Sequence, residues 1–255
     1  MGDTACDSAR SAHRQIDSDQ RPSHAEPNVR LCTGGGSTDR RPLEECLFGP
    51  LHGRATGWKG AAGVATEIVD RGGRAGSVGG DLADPSTTGR IIDAAIALGP
   101  LACVVNNAGT PGEANTHRAH ETPDDLWDET IRTNLTCVQR LIRAAIPELA
   151  ESSTPNRSIV NLSSTAGQRV LPWYGAYCVS KAALEALTRQ QALELAPMGI
   201  RVNAVSPGST STDTIVGTLG RVVDRTGVDA ERLTRSDHPG VPRPRIRQIC
   251  PVRAG

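Results

Sequence analysis

The sequence predicts one α/β domain, a doubly wound parallel sheet with helices on both faces, and three observations carry the prediction. Short apolar runs at 101–105, 158–162 and 200–205 have the length of buried strands, and turn residues such as Asn156 and Gly167 bound them. Longer stretches with helical patterning lie between them, and alternation of strand with helix implies a parallel sheet joined by right-handed crossovers. At 255 residues the chain can close one such sheet over a substantial core.

From the N-terminus, residues 1–27 are polar, mixed in charge and aperiodic, and read as a flexible tail or as a start codon placed too early. The domain is expected over 28–255, irregular from about 215 onward. Residues 28–32 form a weak first strand leading into Thr33-Gly34-Gly35-Gly36-Ser37. Ala61, Ala62, Ala65, Ile68 and Val69 make an apolar stripe, so 61–69 is a helix, closed by Gly72-Gly73. A third strand is expected to end near Asp81-Leu82, and a helix spans 85–98. The strand at 101–105 runs into Asn106-Asn107-Ala108-Gly109, small and polar residues suited to a turn against a ligand. Thr122 is expected to cap a helix with Pro123 at its first position and Asp125 in its first turn, running through Asn134 to about Leu149. The strand at 158–162 ends in Ser163 and Ser164; a helix is expected at 175–196, and the strand at 200–205 ends at Ser206-Pro207-Gly208.

Composition narrows the partners. Lys plus Arg and Asp plus Glu both number 28, and no block of like charge occurs, which argues against nucleic acid and an anionic membrane. No apolar stretch approaches the ~20 residues of a membrane span, and the start lacks the basic-then-apolar order of a signal peptide. Seven cysteines, an odd number without a Cys-x-x-Cys pair, fit a reduced cytoplasmic setting. His117 and His120 read as a solvated loop, and no metal site is expected. Cys178 has no histidine placed to activate it, so it reads as structural.

The chain has two tyrosines and two lysines, and one of each stands four residues apart, as Tyr177 and Lys181. That spacing puts both on one helix face. A phenol with a pKa near 10 is a poor acid at neutrality, and a neighbouring cation stabilises the phenolate and draws the pKa toward the range useful for proton transfer. Thirteen residues upstream of Tyr177 lies Ser164. A strand ending in Asn-Asn-Ala-Gly, a helix Asn134, a strand ending in Ser-Ser, and Tyr-x-x-x-Lys, in this order, resemble the short-chain dehydrogenase/reductase family over residues 60–213.

The resemblance implies a Rossmann-like fold and an NAD- or NADP-dependent interconversion of an alcohol and a ketone. Tyr177 would be the general acid or base, Ser164 would hydrogen-bond the reacting oxygen, Lys181 would lower the phenol pKa and hold the nicotinamide ribose, and Asn134 would anchor a proton-relaying water. Gly34 and Ser37 fall in the phosphate-binding turn. Asp81 and Leu82 match the adenine contact; Asn107, Ala108 and Gly109 match the turn under the adenosine ribose; Pro207, Gly208 and Thr212 match a stretch meeting the nicotinamide carboxamide. A homo-oligomer acting on a small molecule is the expected assembly.

Two regions depart from the family pattern. A dinucleotide fold needs further glycines after Gly34 so that backbone N–H groups can reach a pyrophosphate, yet Thr38 and Arg40 occupy their positions. Prolines and glycines from Pro42 to Gly53 then interrupt the expected helix. A pair of compensating frameshifts over 39–59 accounts for this: shifted by one base, Asp39-Arg40 permits isoleucine and glycine, and 52–56 permits a second strand. Genuine divergence is the other account. After Thr214 the chain gives the Pro-rich run 239–244 and no closing strand, so the first βαβ unit and the last strand are expected to be degraded, and a second frame error or truncation is expected there. Two functional classes stand: an active oxidoreductase, or a catalytically impaired remnant serving at most as a non-catalytic binding partner.

Overall fold

A computed structural model describes residues 29–33, 45–49, 61–110, 117–208, 223–224 and 227. Six strands form one sheet: β1 (Val29–Thr33), β2 (Glu45–Gly49), β3 (Arg74–Ser77), β4 (Leu101–Asn106), β5 (Ser158–Leu162) and β6 (Arg201–Val205). Their order is β3-β2-β1-β4-β5-β6 and every pairing is parallel. The chain winds outward from β1 to β3, returns to place β4 beside β1, and then winds the other way. This reversal leaves a crevice beyond the carboxyl ends of β1 and β4, where ligands bind in sheets of this kind.

The helices are α1 (Ala61–Asp70), α2 (Pro85–Ile96), α3 (Asp124–Ile131), α4 (Cys137–Glu151) and α5 (Gly175–Leu195). Right-handed crossovers put α1 on one face and α2, α4 and α5 on the other. Helix α2 starts cleanly because Asp84 accepts from the Ser86 amide at 2.9 Å and Pro85 occupies the first turn. In α4, Val138, Leu141, Ile142, Ala145 and Leu149 recur at helical spacing and are buried. They pack with Ile91, Ile92 and Ala95 of α2, Leu101 and Val104 of β4, Ile159 of β5, Leu184 of α5 and Val202 of β6 in one apolar core. Burying side chains of this size contributes roughly 1.5–3 kcal/mol each before conformational entropy is subtracted.

A polar chain crosses that core. Asn106 and Asn161 are register partners on β4 and β5; Asn106 Nδ2 donates to Asn161 Oδ1 at 2.8 Å. Asn161 Nδ2 donates to Thr188 Oγ1 at 2.9 Å, and that hydroxyl donates to the Leu184 carbonyl at 2.7 Å. The sheet is thus tied to α5 by groups that satisfy one another away from water.

Several expectations need correction. The third strand ends at Ser77, and Asp81-Leu82 lies in the turn before α2, where Asp81 Oδ1 accepts from the Ala83 amide at 2.8 Å. Thr122 does not cap α3: its hydroxyl donates to the Arg118 carbonyl at 3.0 Å and closes the preceding turn, while Pro123 takes the cap position with Asp124 and Asp125 in the first turn. The long helix is three segments, because residues Arg132–Thr136 between α3 and α4 are a π-helix. The second strand forms from Glu45–Gly49 as written, ahead of the 52–56 segment that the shifted frame makes a strand. The connections at 34–44 and 50–60, the tail at 1–27 and the region expected to carry a last strand lie outside the described residues.

Replacing Asn161 with alanine should strand the Asn106 amide and remove the donor that the Thr188 hydroxyl accepts, and lower stability by about 1–3 kcal/mol. The midpoint of a urea transition reports this; an unchanged midpoint would mean that the chain from β4 to α5 contributes nothing.

Candidate active site

Because β4, β5 and β6 are parallel, their carboxyl ends finish at one edge of the sheet. The segments leaving these strands are Asn107 to Gly109, Ser163 to Gly167, and Ser206 to Gly208. Helix α5 begins at the same edge because it returns from β5, which brings Tyr177, in its first turn, beside the three segments.

Asn134 sits in the π-helical segment and is fully buried. Its Oδ1 accepts from the Thr110 amide at 2.8 Å and its Nδ2 donates to the Thr110 carbonyl at 2.9 Å, so one side chain acts as a strand partner to the chain leaving the β4 turn. Nδ2 also donates to Ser180 Oγ at 3.0 Å, and Ser180 donates to the Tyr177 carbonyl at 2.8 Å. Gly109 lies against this clasp: a Cβ there would come within 3.2 Å of both Asn134 Oδ1 and Lys181 Nζ.

Lys181 is only 4% exposed, and its Nζ donates to the Leu162 carbonyl at 2.7 Å. Burial lowers its pKa from the ordinary 10.5 to about 8. Nζ lies 5.7 Å from the centre of the Tyr177 ring, within the range of a cation–π contact. Ser164 lies beside the Tyr177 phenol. Burial raises the phenol pKa above 10, and the neighbouring Ser164 side chain opposes that rise. The expected downward pull of Lys181 is not among the influences on the phenol in this state: burial dominates, and the ammonium is engaged by the Leu162 carbonyl. Ser164 Oγ also accepts from the Ala166 amide at 3.2 Å, which fixes the hydroxyl at the start of the turn Thr165–Gly167. A side chain at 167 would collide with the Lys181 carbonyl at 2.9 Å, so glycine allows this turn to press on α5.

Two further segments border Tyr177. Tyr174 meets its ring edge-on at 6.4 Å and forms a β-bridge with His117. Trp173 takes a left-handed backbone conformation, φ 69°, and the Arg118 guanidinium stacks 4.7 Å from its ring centre.

At the other end of the edge, Leu82, Asn106, Ala108, Thr133, Cys137, Val138 and Leu141 line a narrow, mainly apolar cleft. Asn106 Oδ1 is buried there without a partner among the described residues. Arg140 donates to the Ala83 carbonyl at 2.8 Å and holds the turn carrying Asp81 and Leu82 against α4. Pro207 accepts from the Thr165 amide at 3.0 Å, joining the turns after β5 and β6. The structure thus gathers Ser164, Tyr177, Lys181, Asn134 and Gly109 around one point and borders it with Pro207 and Gly208. Asn107 directly succeeds β4, and Leu82 and Ala108 line the cleft. Gly34, Ser37 and Thr212 lie outside the described residues. Sequence reasoning passed over Ser180 and named Asn106 and Ser163 only as parts of a turn and a strand end, because only the packing reveals that they are buried. Among the described residues no group of three His, Cys, Asp or Glu side chains could hold a metal ion, and no helix is long and apolar enough to cross a membrane.

The model of the enoyl-(acyl carrier protein) reductase family matches residues 56–230. The chain is 35% identical over 188 residues to a Xanthobacter autotrophicus protein named inactive 2-(S)-hydroxypropyl-CoM dehydrogenase 2, covering 68% of this chain and 79% of that one. It is 36% identical over 195 residues to 2,5-dichloro-2,5-cyclohexadiene-1,4-diol dehydrogenase of Sphingobium indicum, covering 72% and 73%. Carveol dehydrogenase from Mycobacterium avium, solved in complex with NAD, shares its fold at a TM-score of 0.61 and 28% identity, covering 67% of this chain and 64% of that one. Two further relatives are matched over only 48% and 43% of their own length.

The Lys181 environment has a pH signature. Between its folded pKa of about 8 and its ordinary 10.5, the unfolded chain holds a proton that the folded chain has released, so stability rises with pH across that window. The rise is at most about 1.4 kcal/mol per pH unit, and below the window both states hold the proton and the contribution is flat. Lys181→Met should abolish it. Urea midpoints for the two proteins at either end of the window check this; parallel midpoints would show that burial does not disfavour the ammonium.

Proposed function

The chain belongs to the short-chain dehydrogenase/reductase family, and from that premise we propose that it is an NAD- or NADP-dependent oxidoreductase interconverting an alcohol and a ketone, with Tyr177 as general acid and base. The observation that carries the reading is the meeting of Tyr177, Ser164 and Lys181 at the carboxyl edge, with Lys181 Nζ 5.7 Å from the centre of the Tyr177 ring and Ser164 beside the phenol. An oxygen placed between the two hydroxyl groups would receive both bonds. In the reducing direction the phenol donates its proton to that oxygen. Its raised pKa keeps it protonated at neutrality, so it carries the proton it must give. Ser164 shares the developing charge. As the phenol ionises, the buried ammonium of Lys181, still mostly protonated at pH 7, becomes a counter-charge in a dry setting. In the oxidising direction the phenolate takes the proton, so that direction favours alkaline pH.

The residues present fit a dinucleotide. Gly109 leaves open the approach to Asn134 and Lys181, and Leu82 and Ala108 border the same carboxyl edge. Lys181, Pro207 and Gly208 would hold the nicotinamide half and Asp81, Leu82, Asn107 and Ala108 the adenosine half. When bound, the nucleotide supplies or takes the hydride.

A second reading, an impaired remnant, is favoured by Thr38 and Arg40 in the phosphate-binding turn and by the similarity to a protein named inactive. A small-molecule substrate and a homo-oligomeric assembly belong to the first reading.

Tyr177→Phe should reduce turnover by about 10²–10⁴ without unfolding the protein; more than about a tenth of the activity retained would remove Tyr177 from the role. Lys181→Ala should move the optimum for oxidation to higher pH, and an unchanged profile would leave it a packing residue. Titration calorimetry with NADH and NADPH separates the two readings. The chain as written should bind weakly, and a version carrying the shifted-frame sequence over 39–59 should bind more tightly. Binding near micromolar, about −8 kcal/mol, by the chain as written would show that its altered turn is competent.

A further inference from the structure

One buried acidic side chain has no part in the proton transfer. Glu185 lies one turn of α5 beyond Lys181 and is 6% exposed. Three neutral donors converge on its Oε1: Ser206 Oγ at 2.7 Å, Ser163 Oγ at 3.1 Å and Gln168 Nε2 at 3.3 Å. Each donor sits on a different piece of the carboxyl edge. Ser163 ends the β5 run and directly precedes Ser164; Gln168 closes the short turn that Ser164 begins; Ser206 ends the β6 run and directly precedes Pro207. The backbone pairs the same pieces, with the Ser163 amide donating to the Val205 carbonyl at 2.8 Å and the Thr165 amide to the Pro207 carbonyl at 3.0 Å.

We infer that Glu185 is a positioning residue that fixes Ser164 and the Pro207-Gly208 turn to each other and to the helix bearing Tyr177 and Lys181. The role rests on the oxidoreductase reading above. A carboxyl oxygen suits it because it accepts several hydrogen bonds at once without donating any. An amide in its place keeps one such oxygen. A methyl group keeps none and removes the shared acceptor that joins the buried Ser163 hydroxyl, the half-buried Ser206 hydroxyl and the exposed Gln168 amide. The Ser163 hydroxyl also lies 3.2 Å from the Lys181 carbonyl, so with the carboxyl gone its one proton turns to the helix backbone and the link to Ser206 is lost.

The full-length chain and its Glu185→Ala, Glu185→Gln and Ser206→Ala variants are compared by two measurements. Amide hydrogen exchange should show Ser163 and Thr165 in Glu185→Ala losing protection by about tenfold or more, while Ile159 and Leu184 in the core keep theirs. In steady-state oxidation of an alcohol, kcat should fall by about tenfold or more with KM within about threefold, since the reacting groups are misplaced while binding is not. Glu185→Gln should restore both, and Ser206→Ala should shift both in the same direction by less, which keeps the test open if Glu185→Ala fails to fold. Unchanged exchange at Ser163 and Thr165 in a folded Glu185→Ala overturns the inference, as does a loss of protection spread evenly over the sheet. A wild-type chain without turnover refutes the oxidoreductase reading instead, and the exchange pattern then decides by itself whether Glu185 holds the two turns.

Discussion

Parallelism is the constraint on which everything else depends. Six strands running one way must all end at the same edge, so every turn leaving a strand competes for one strip of surface, and the reversal between β1 and β4 opens a crevice in it. No antiparallel arrangement would bring the ends of β4, β5 and β6 together with the start of α5. The reacting groups come from segments far apart in sequence, from Gly109 to Lys181, yet their meeting is dictated by the direction of the strands and the short returns between them.

Holding that strip in register falls to polar groups. The apolar core between α2, α4 and the sheet supplies bulk stability, but apolar contact slides easily and does not set the height of one turn relative to another. Asn134 clasping Thr110, the Asn106–Asn161–Thr188 chain and the convergence on Glu185 are each directional, and each joins elements that the core merely presses together. Lys181 is the destabilising member. Its charge is buried against one carbonyl, which lowers its pKa to about 8, a penalty that a purely structural lysine would avoid by reaching water.

Much of this was legible in the sequence, and the gaps have physical causes. β4, β5 and β6 came from apolar runs that tertiary context did not need to override, and α1, α2 and α5 from helical spacing, so their bounds differ little from expectation. β3 is Arg-Ala-Gly-Ser, without an apolar signature, and its end was misplaced by several residues. β2 is a five-residue run between Pro42 and Pro50, whose composition spoke against any regular element. Tyr177, Lys181 and Ser164 were found because their spacing is chemically unusual. Glu185, Ser180 and Asn161 were not, since a lone polar letter in a helix or strand looks the same whether it faces solvent or the inside of a protein.

The π-helical segment at Arg132–Thr136 has a consequence for how this chain can vary. A π turn accommodates one residue more than an α turn, and a residue turns an α-helix by about 100°. The inserted residue acts as a phase shifter: upstream of it the α3 face can be chosen for α5, downstream the α4 stripe can be chosen for α2 and the sheet, and Asn134 occupies the joint itself. Lineages that keep the joint can rewrite either helix without consulting the other, whereas removal of a single residue there would turn one helix face against the wrong neighbour.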